Sequence, residues 1–150
     1  MVDILNIEDF RRRRVTVDDV KLQRILHVDD DADIRAIVQM SLELVGNFEI
    51  SQCHSGEQAL AVAKDFRPDL LLLDFMMPEM TGQELAARLA AECDIGSVPV
   101  IFVTAKAEES FSNDLVAAGA LAVITKPFDP MTLASEIEKI WQSTPRVSAV

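Results

Sequence analysis

Short apolar runs alternate with amphipathic segments along the chain from residue 25 onward. The run at 70–74 has four leucines followed by Asp74 and is apolar on both faces, as expected for a central strand of a parallel sheet. The apolar runs predict five strands, at 24–30, 48–53, 70–74, 99–105 and 121–125.

The segments between these runs predict helices. Apolar residues recur at helical spacing over 34–45, and Gly46 ends that segment. Capping boxes at 55–58 and 81–84 mark the starts of the second and third helices, because a hydroxyl side chain is followed there three residues later by Gln or Glu. A short fourth helix is predicted over 107–118.

The last helix is predicted to begin with Asp129 as its N-cap and Pro130 in its first turn. Its inner face is expected to carry Leu133, Ile137, Ile140 and Trp141. Five strands alternating with five helices require a parallel sheet with helices on both faces. We therefore expect one α/β domain at 24–142, a solvated, partly ordered N-terminal extension at 1–23 and a C-terminal tail at 143–150.

Charge and composition exclude several classes of protein. The formal net charge of −11 disfavours nonspecific binding to nucleic acid, although residues 1–24 alone carry six basic and five acidic side chains. There is no signal-peptide pattern and no apolar stretch long enough to span a bilayer, which predicts a cytoplasmic protein. Cys53 and Cys93 match no metal or redox spacing and are expected to be reduced, and His27 and His54 are expected to be structural.

Polar side chains stand at four of the predicted strand ends. Asp29 and Asp30 end the first strand, Asp74 the third and Thr104 the fourth, and Lys126 follows the fifth. These ends share one edge of the sheet, so the side chains should meet there. Crowded carboxylates take up protons or bind a cation, and oxygen ligands suit Mg²⁺. Asp74 could then attack phosphorus and form an acyl phosphate, with Lys126 and Thr104 pairing with other phosphoryl oxygens.

Each of these residues also has a structural interpretation when taken alone. Asp31 is predicted to cap the first helix, and Asp29 and Asp30 could serve the same purpose. A single aspartate at a strand end is commonly structural, and a single lysine is usually a solvated surface residue. The combination is more specific, because an acid pair, a lone acid, a hydroxyl and a lysine each occupy their own strand end in this order.

The chain resembles the receiver domain of bacterial two-component response regulators over residues 24–142. The resemblance rests on the segments ILHVDDDADIR, DLLLLDFMMPEMTG, VPVIFVTA and ITKPF. It implies a flavodoxin-like (βα)5 fold with strand order 2-1-3-4-5. It also implies that Asp74 is the phosphoacceptor, that Asp30, Asp74 and the backbone carbonyl of Met76 ligate Mg²⁺, and that Asp29 assists, through water.

The resemblance further implies that Thr104 is a switch hydroxyl and that Lys126 contacts the phosphoryl group and precedes a cis peptide bond to Pro127. One position departs from the family pattern. The family usually has Tyr or Phe three residues before the lysine, whereas this chain has Val123. This departure predicts altered signalling through the face formed by the fourth helix, fifth strand and fifth helix. Lys106, like Met76, stands at a position that tunes phosphoryl lifetime in the family.

The predicted function is that of a signalling receiver. A histidine kinase or phosphotransfer protein would donate the phosphoryl group to Asp74 in a Mg²⁺-dependent step, and the phosphorylated state would change binding to a downstream protein or promote a homodimer. No output segment follows residue 142, which predicts a stand-alone receiver without direct contact to nucleic acid. The alternative is a degenerate, phosphorylation-independent binding module. An aspartate-nucleophile phosphatase is disfavoured because Met76 stands where its second acid would be.

Overall fold

The chain folds into a five-stranded parallel sheet in the order β2-β1-β3-β4-β5. The structure is a computed structural model and describes residues 21–106 and 108–143. The strands are β1 (Arg24–Val28), β2 (Glu49–Cys53), β3 (Leu70–Asp74), β4 (Val100–Thr104) and β5 (Ala122–Thr125). The predicted fold class and strand order are confirmed.

A helix follows each strand. The helices are α1 (Ala32–Gln39, continued as a π-helix over Met40–Val45), α2 (Gly56–Phe66), α3 (Gly82–Glu92), α4 (Glu109–Ala117) and α5 (Leu133–Ser143). No helix in the described part of the chain is long and apolar enough to cross a membrane. Of the predicted extension at 1–23, the structure describes residues 21–23. Of the predicted tail at 143–150, it describes residue 143.

Alternate side chains of the strands point to opposite faces and build two separate cores. One core lies between the sheet and the helices α1 and α5 and includes Ile25, Leu72, Val103, Leu42, Ile137 and Trp141. The other lies beneath α2, α3 and α4 and includes Leu26, Leu73, Phe102, Ala59, Leu85 and Leu115. Every residue of β3 is buried, because this strand has neighbours on both sides and helices on both faces.

The predicted capping interactions are largely present. The Asp31 carboxylate caps α1 by accepting from the backbone N–H groups of Asp33 and Ile34. Thr81 forms a complete capping box at the start of α3. At the start of α2, the Ser55 hydroxyl accepts from the Gln58 N–H, as expected for the cap. The side-chain amide oxygen of Gln58 accepts from the N–H of His54, the residue before the cap, and not from that of Ser55. The reciprocal half of the predicted capping box is therefore displaced by one residue.

Some element boundaries differ from the sequence prediction. Strand β1 ends at Val28, two residues earlier than predicted, so Asp29 and Asp30 lie in the loop that follows the strand. Helix α5 begins at Leu133 and not at Pro130. The reason is a turn in which the Asp129 carboxylate accepts from Met131 N–H, at 2.9 Å, before the helical pattern starts.

The π-helical end of α1 was not predicted. Its hydrogen bonding is shown by the Gly46 N–H, which donates to the carbonyl of Ser41, five residues earlier, at 3.0 Å. The Ser41 hydroxyl also donates to the Pro130 carbonyl at 2.6 Å and joins α1 to the loop before α5. A side chain at Gly46 would lie 2.8 Å from both Ala134 and Phe48, so only glycine fits this close approach.

Candidate functional site

Three aspartates meet at the carboxyl edge of the sheet. Asp74 is the last residue of β3, and Asp29 and Asp30 follow β1, which is the neighbour of β3 in the sheet. One carboxylate oxygen from each residue lies within 4.8 Å of those of the other two. Asp29 and Asp74 are buried, at 0% and 5% exposure, whereas Asp30 is exposed. The predicted acidic cluster is therefore brought together.

Lys126 joins this cluster from the loop after β5. Its Nζ atom lies 3.0 Å from Asp29 Oδ2 and 3.3 Å from Asp74 Oδ1. The long lysine side chain reaches across β4 to Asp74 on β3, and across both β4 and β3 to Asp29 after β1. The peptide bond from Lys126 to Pro127 is cis, as the resemblance implies. One ammonium group thus serves two buried carboxylates and leaves an excess of negative charge.

Asp29 is held by hydrogen bonds at every polar atom. Its N–H donates to the Cys53 carbonyl at 3.1 Å, and its own carbonyl accepts from Arg35 Nη1 at 2.7 Å. The carboxylate accepts from Asp31 N–H at 2.9 Å through Oδ1 and from Lys126 at 3.0 Å through Oδ2. Asp29 is thereby fixed within the site, and its buried polar groups are satisfied.

Asp74 is held differently from Asp29. Its bond from Lys126 is longer, at 3.3 Å. Burial raises the pKa of Asp74 to about 6, and the negative charges of Asp29 and Asp30 add to this, while Lys126 opposes it. Burial also works to lower the pKa of Lys126, but its hydrogen bond to Asp29 and the charges of both carboxylates outweigh this and raise the pKa. Both charged forms therefore coexist near neutral pH.

Thr104 ends β4 beside this cluster and is buried, at 2% exposure. Its neighbour Val103 pairs with Asp74 in the sheet register. The Thr104 hydroxyl oxygen accepts from the Lys106 N–H at 3.1 Å. The Met76 side chain is 65% exposed, and its backbone forms a bridge with Thr81 across the loop between β3 and α3. The carbonyl of Met76 as a metal ligand stays a prediction.

Aromatic side chains pack behind Asp74 on the face of α4. The Phe75 ring packs edge-on against the rings of Phe102 and Phe111, with distances between ring centres of 5.6 Å and 5.0 Å. The Lys106 ammonium lies 4.7 Å from the centre of the Phe111 ring. Val123, which replaces the aromatic residue usual in the family, pairs with Phe102 in the register and packs against the same core. The side chain of Lys106 is thus directed toward α4.

Gly82 lets α3 begin directly against the end of β3. Its N–H donates to the Phe75 carbonyl at 2.7 Å. A Cβ atom at this position would lie 2.5 Å from the backbone carbonyl oxygen of Asp74, closer than any side chain can be placed. Glycine is required here by the close approach of the backbone.

Arg35 and Gln52 also contribute to the site, and neither is indicated by the sequence motifs. Arg35 lies within one of the quoted family segments, but its spacing alone indicated only a polar position on α1. Gln52 lies on β2 and reaches the site only through the folded structure, where it contacts His27 and Arg35. His27 is buried, and burial lowers its pKa to about 3, so its imidazole is neutral and structural, as expected.

The residues present fit a magnesium ion. The cluster offers carboxylate oxygens, which Mg²⁺ prefers, and in the described part of the chain one lysine offsets its two buried members. Burial raises the pKa of Asp74, and the negative charges of Asp29 and Asp30 raise it further. A divalent cation would offset these negative charges. The exposed Asp30 leaves the cluster open on one side.

Comparisons with known proteins agree with this geometry. Residues 25–138 match the family described as response regulator receiver domain. The phosphate regulon transcriptional regulatory protein PhoB of Pseudomonas aeruginosa is 40% identical over 120 residues, which cover 80% of this chain and 52% of the relative. The DNA-binding dual master transcriptional regulator RpaA of Synechocystis is 30% identical over 126 residues, covering 84% and 52%.

The chain spans about half the length of these curated relatives. Their length does not support the prediction of a stand-alone receiver, and the description of RpaA as DNA-binding is at odds with the predicted absence of direct contact to nucleic acid.

Solved structures show the same fold. A CheY-like receiver domain protein of Methanospirillum hungatei has a TM-score of 0.69 and 30% identity, covering 82% of this chain and 96% of that one. The chemotaxis response regulator CheY4 of Vibrio cholerae has a TM-score of 0.71 and 28% identity, covering 80% and 99%. The chain belongs to the response regulator receiver domain family.

Proposed function

We propose that the protein accepts a phosphoryl group on the Asp74 carboxylate and transmits this state by a changed affinity for a downstream protein. The observation that carries the proposal is the contact of one ammonium, from Lys126, with two buried carboxylates at the end of the central strands. A buried carboxylate with incomplete compensation is costly. Its contact with a lysine, at the same edge of the sheet as the buried Thr104, supports a reactive role.

The chemical step is transfer from a phosphorylated histidine. An Asp74 carboxylate oxygen attacks phosphorus and forms the new O–P bond, while the N–P bond of the donor breaks. The electron pair of that bond stays on the imidazole nitrogen of the donor, which then takes up a proton from solvent. Lys126 is placed to pair with a phosphoryl oxygen, because it already lies 3.3 Å from Asp74. With a pKa of about 6, Asp74 is largely ionised and nucleophilic at neutral pH.

The residues that would hold Mg²⁺ are Asp30, Asp74 and the carbonyl of Met76, with Asp29 acting through water. When bound, Mg²⁺ would offset the negative charge of the carboxylates and of the incoming phosphoryl oxygens. Asp29 suits the outer role, because its carboxylate already accepts from Asp31 and Lys126. Asp30 suits direct contact, because it is exposed.

The proposed partners follow from this chemistry. The donor is a histidine kinase or phosphotransfer protein in the cytoplasm, and the readout is a downstream protein or a second copy bound through α4, β5 and α5. The protein is proposed to act as a signalling phosphoacceptor and to catalyse only its own phosphorylation and slow dephosphorylation. Met76 supports this, because a hydrophobic side chain there supplies no second acid for turnover of other substrates.

The test is the intact mass of the protein after incubation with acetyl phosphate, with and without Mg²⁺. We expect one phosphoryl adduct that requires Mg²⁺ and is absent in Asp74→Asn. The matched control is Asp65→Asn, which makes the same chemical change on an exposed position of α2 and should leave the adduct in place. Circular dichroism shows that each variant is folded.

The absence of an adduct in folded wild-type protein would overturn the proposal. It would favour the phosphorylation-independent binding module, for which Val123 at the usual aromatic position is the supporting observation. An adduct that persists in Asp74→Asn would place the phosphoacceptor elsewhere.

A further inference from the structure

A chain of hydrogen bonds runs from the core of β1 and β2 to the acidic cluster. The Gln52 amide on β2 donates to His27 Nδ1 on β1 at 3.0 Å and to the backbone carbonyl of Arg35 on α1 at 2.8 Å. The Arg35 guanidinium then donates from Nη1 to the backbone carbonyl of Asp29 at 2.7 Å. Three elements of secondary structure are thus joined through one arginine.

The direction of each bond in this chain is determined. The Arg35 carbonyl can only accept, so the side chain of Gln52 must present its nitrogen there. The same nitrogen faces His27 Nδ1, which must therefore accept and carries no proton. Both hydrogens of the Gln52 amide are used. The carbonyl of Arg35, in the first turns of α1, is consequently held at one distance from the sheet.

Arg35 controls the orientation of the peptide between Asp29 and Asp30. The carbonyl to which it donates belongs to that peptide, and the exposed Asp30 carboxylate follows directly. The other polar atoms of Asp29 are bound to Cys53, Asp31 and Lys126. Without Arg35, the carbonyl would lose its side-chain donor and the peptide could rotate. Rotation would move the Asp30 carboxylate relative to Asp74.

We propose that Arg35 is a positioning residue for the cation site. It acts through the peptide between Asp29 and Asp30 and contacts neither the cation nor the phosphoryl group. This inference rests on the proposed function, since it requires the acidic cluster to bind Mg²⁺. It also predicts that removal of Arg35 changes the Mg²⁺ affinity in the direction opposite to the one expected from charge alone. A guanidinium beside the cluster repels a cation, so its removal on electrostatic grounds would tighten Mg²⁺ binding, whereas loss of positioning weakens it.

The test is the Mg²⁺ affinity measured by isothermal titration calorimetry, with no phosphodonor present. We expect Arg35→Gln to weaken Mg²⁺ binding by about 10-fold or more, as is typical for partners that orient metal ligands. Arg35→Lys keeps the charge and one donor and should recover part of the affinity. The matched control is Arg88→Gln, because Arg88 lies on α3 and pairs only at the surface with Glu57 and Glu92. Its affinity should stay within about 2-fold of wild type.

A second readout separates positioning from a direct part in the reaction. Because Arg35 does not touch the reacting atoms, saturating Mg²⁺ should restore the yield of the acetyl phosphate adduct in Arg35→Gln. Unchanged or tighter Mg²⁺ binding in Arg35→Gln would overturn the inference, as would an equal loss in Arg88→Gln. If Arg35→Gln does not fold, Arg35→Met, which also lacks the charge and has no donor, decides, since an affinity equal to wild type contradicts the inference. Failure of the wild type to bind Mg²⁺ would instead overturn the proposed function.

Discussion

The burial of Asp74 predicts that this carboxylate destabilises its own domain. The pKa of Asp74 is raised from 3.8 to about 6, chiefly by burial. Between these two values the native state binds more protons than the unfolded state. The free energy of unfolding therefore falls as pH rises from about 4 through 6 and stays low above that range. At about 1.36 kcal/mol for each pKa unit, the cost at neutral pH is roughly 3 kcal/mol.

Replacing Asp74 by Asn removes the charge at nearly constant volume. Lys126 is not left unpaired by this change, because it keeps its 3.0 Å contact with Asp29. The variant loses the weaker bond between Lys126 and the Asp74 carboxylate, which reduces the gain. We expect Asp74→Asn to raise the free energy of unfolding by about 1–3 kcal/mol at pH 7.5 without Mg²⁺.

The assay is urea denaturation in EDTA, followed by the fluorescence of Trp141, the single tryptophan of the chain. The difference between Asp74→Asn and wild type should grow by about 1 kcal/mol from pH 5 to pH 8, since Asp74 loses its proton over this range. Asp65→Asn, at an exposed position, should show no comparable difference. Added Mg²⁺ should stabilise the wild type more than Asp74→Asn. A variant less stable than wild type at pH 7.5, or a difference that does not change with pH, would refute the reasoning.

Three further substitutions test other contacts. Lys126→Ala should lower the free energy of unfolding in EDTA by about 3 kcal/mol, because it leaves two buried carboxylates without their cation. Calorimetric Mg²⁺ binding should be retained or tightened, since the ammonium repels the cation, and greatly weakened Mg²⁺ binding would contradict this. Gly82→Ala should lower the free energy of unfolding in urea by about 1–3 kcal/mol and reduce the adduct yield, because the new Cβ would lie 2.5 Å from the backbone carbonyl oxygen of Asp74. A free energy of unfolding equal to that of wild type would show that α3 can shift to make room. Phe111→Leu should cost about 1 kcal/mol in urea through lost contact with the Phe75 ring and leave the adduct yield unchanged, whereas a reduced yield would mean that the ring also shapes the site.

The fold was predictable because its signals are local. A strand buried on both faces needs an unbroken apolar run, and β3 has one. The caps of α1 and α3 involve residues within three positions of each other and were read from the sequence. The start of α5 was misplaced because Asp129 can cap a turn as well as a helix, and its carboxylate bonds Met131 in a turn. Local chemistry does not distinguish these two uses.

The π-helical segment Met40–Val45 has no comparable local signal. Besides its own backbone hydrogen bonds, it is held by contacts with distant parts of the chain, through Ser41 to Pro130 and through the close approach of Gly46 to Ala134. The same limit applied to the site. Topology predicted that strand-end residues would meet, but Arg35 and Gln52 lie on a helix and a neighbouring strand and reach the cluster only after packing.

The difference between the two buried aspartates also arises only in the folded chain. Asp29 and Asp74 are the same residue type, stand at the ends of adjacent strands and share one lysine. Asp29 accepts a backbone N–H and the shorter lysine bond, so its oxygens are already committed. Asp74 receives the longer bond, and its pKa is raised, so its oxygens are more basic and more nucleophilic. A substitution that gave Asp74 an additional donor would therefore stabilise its charge and slow its phosphorylation, because a hydrogen bond to the carboxylate lowers both its basicity and its nucleophilicity.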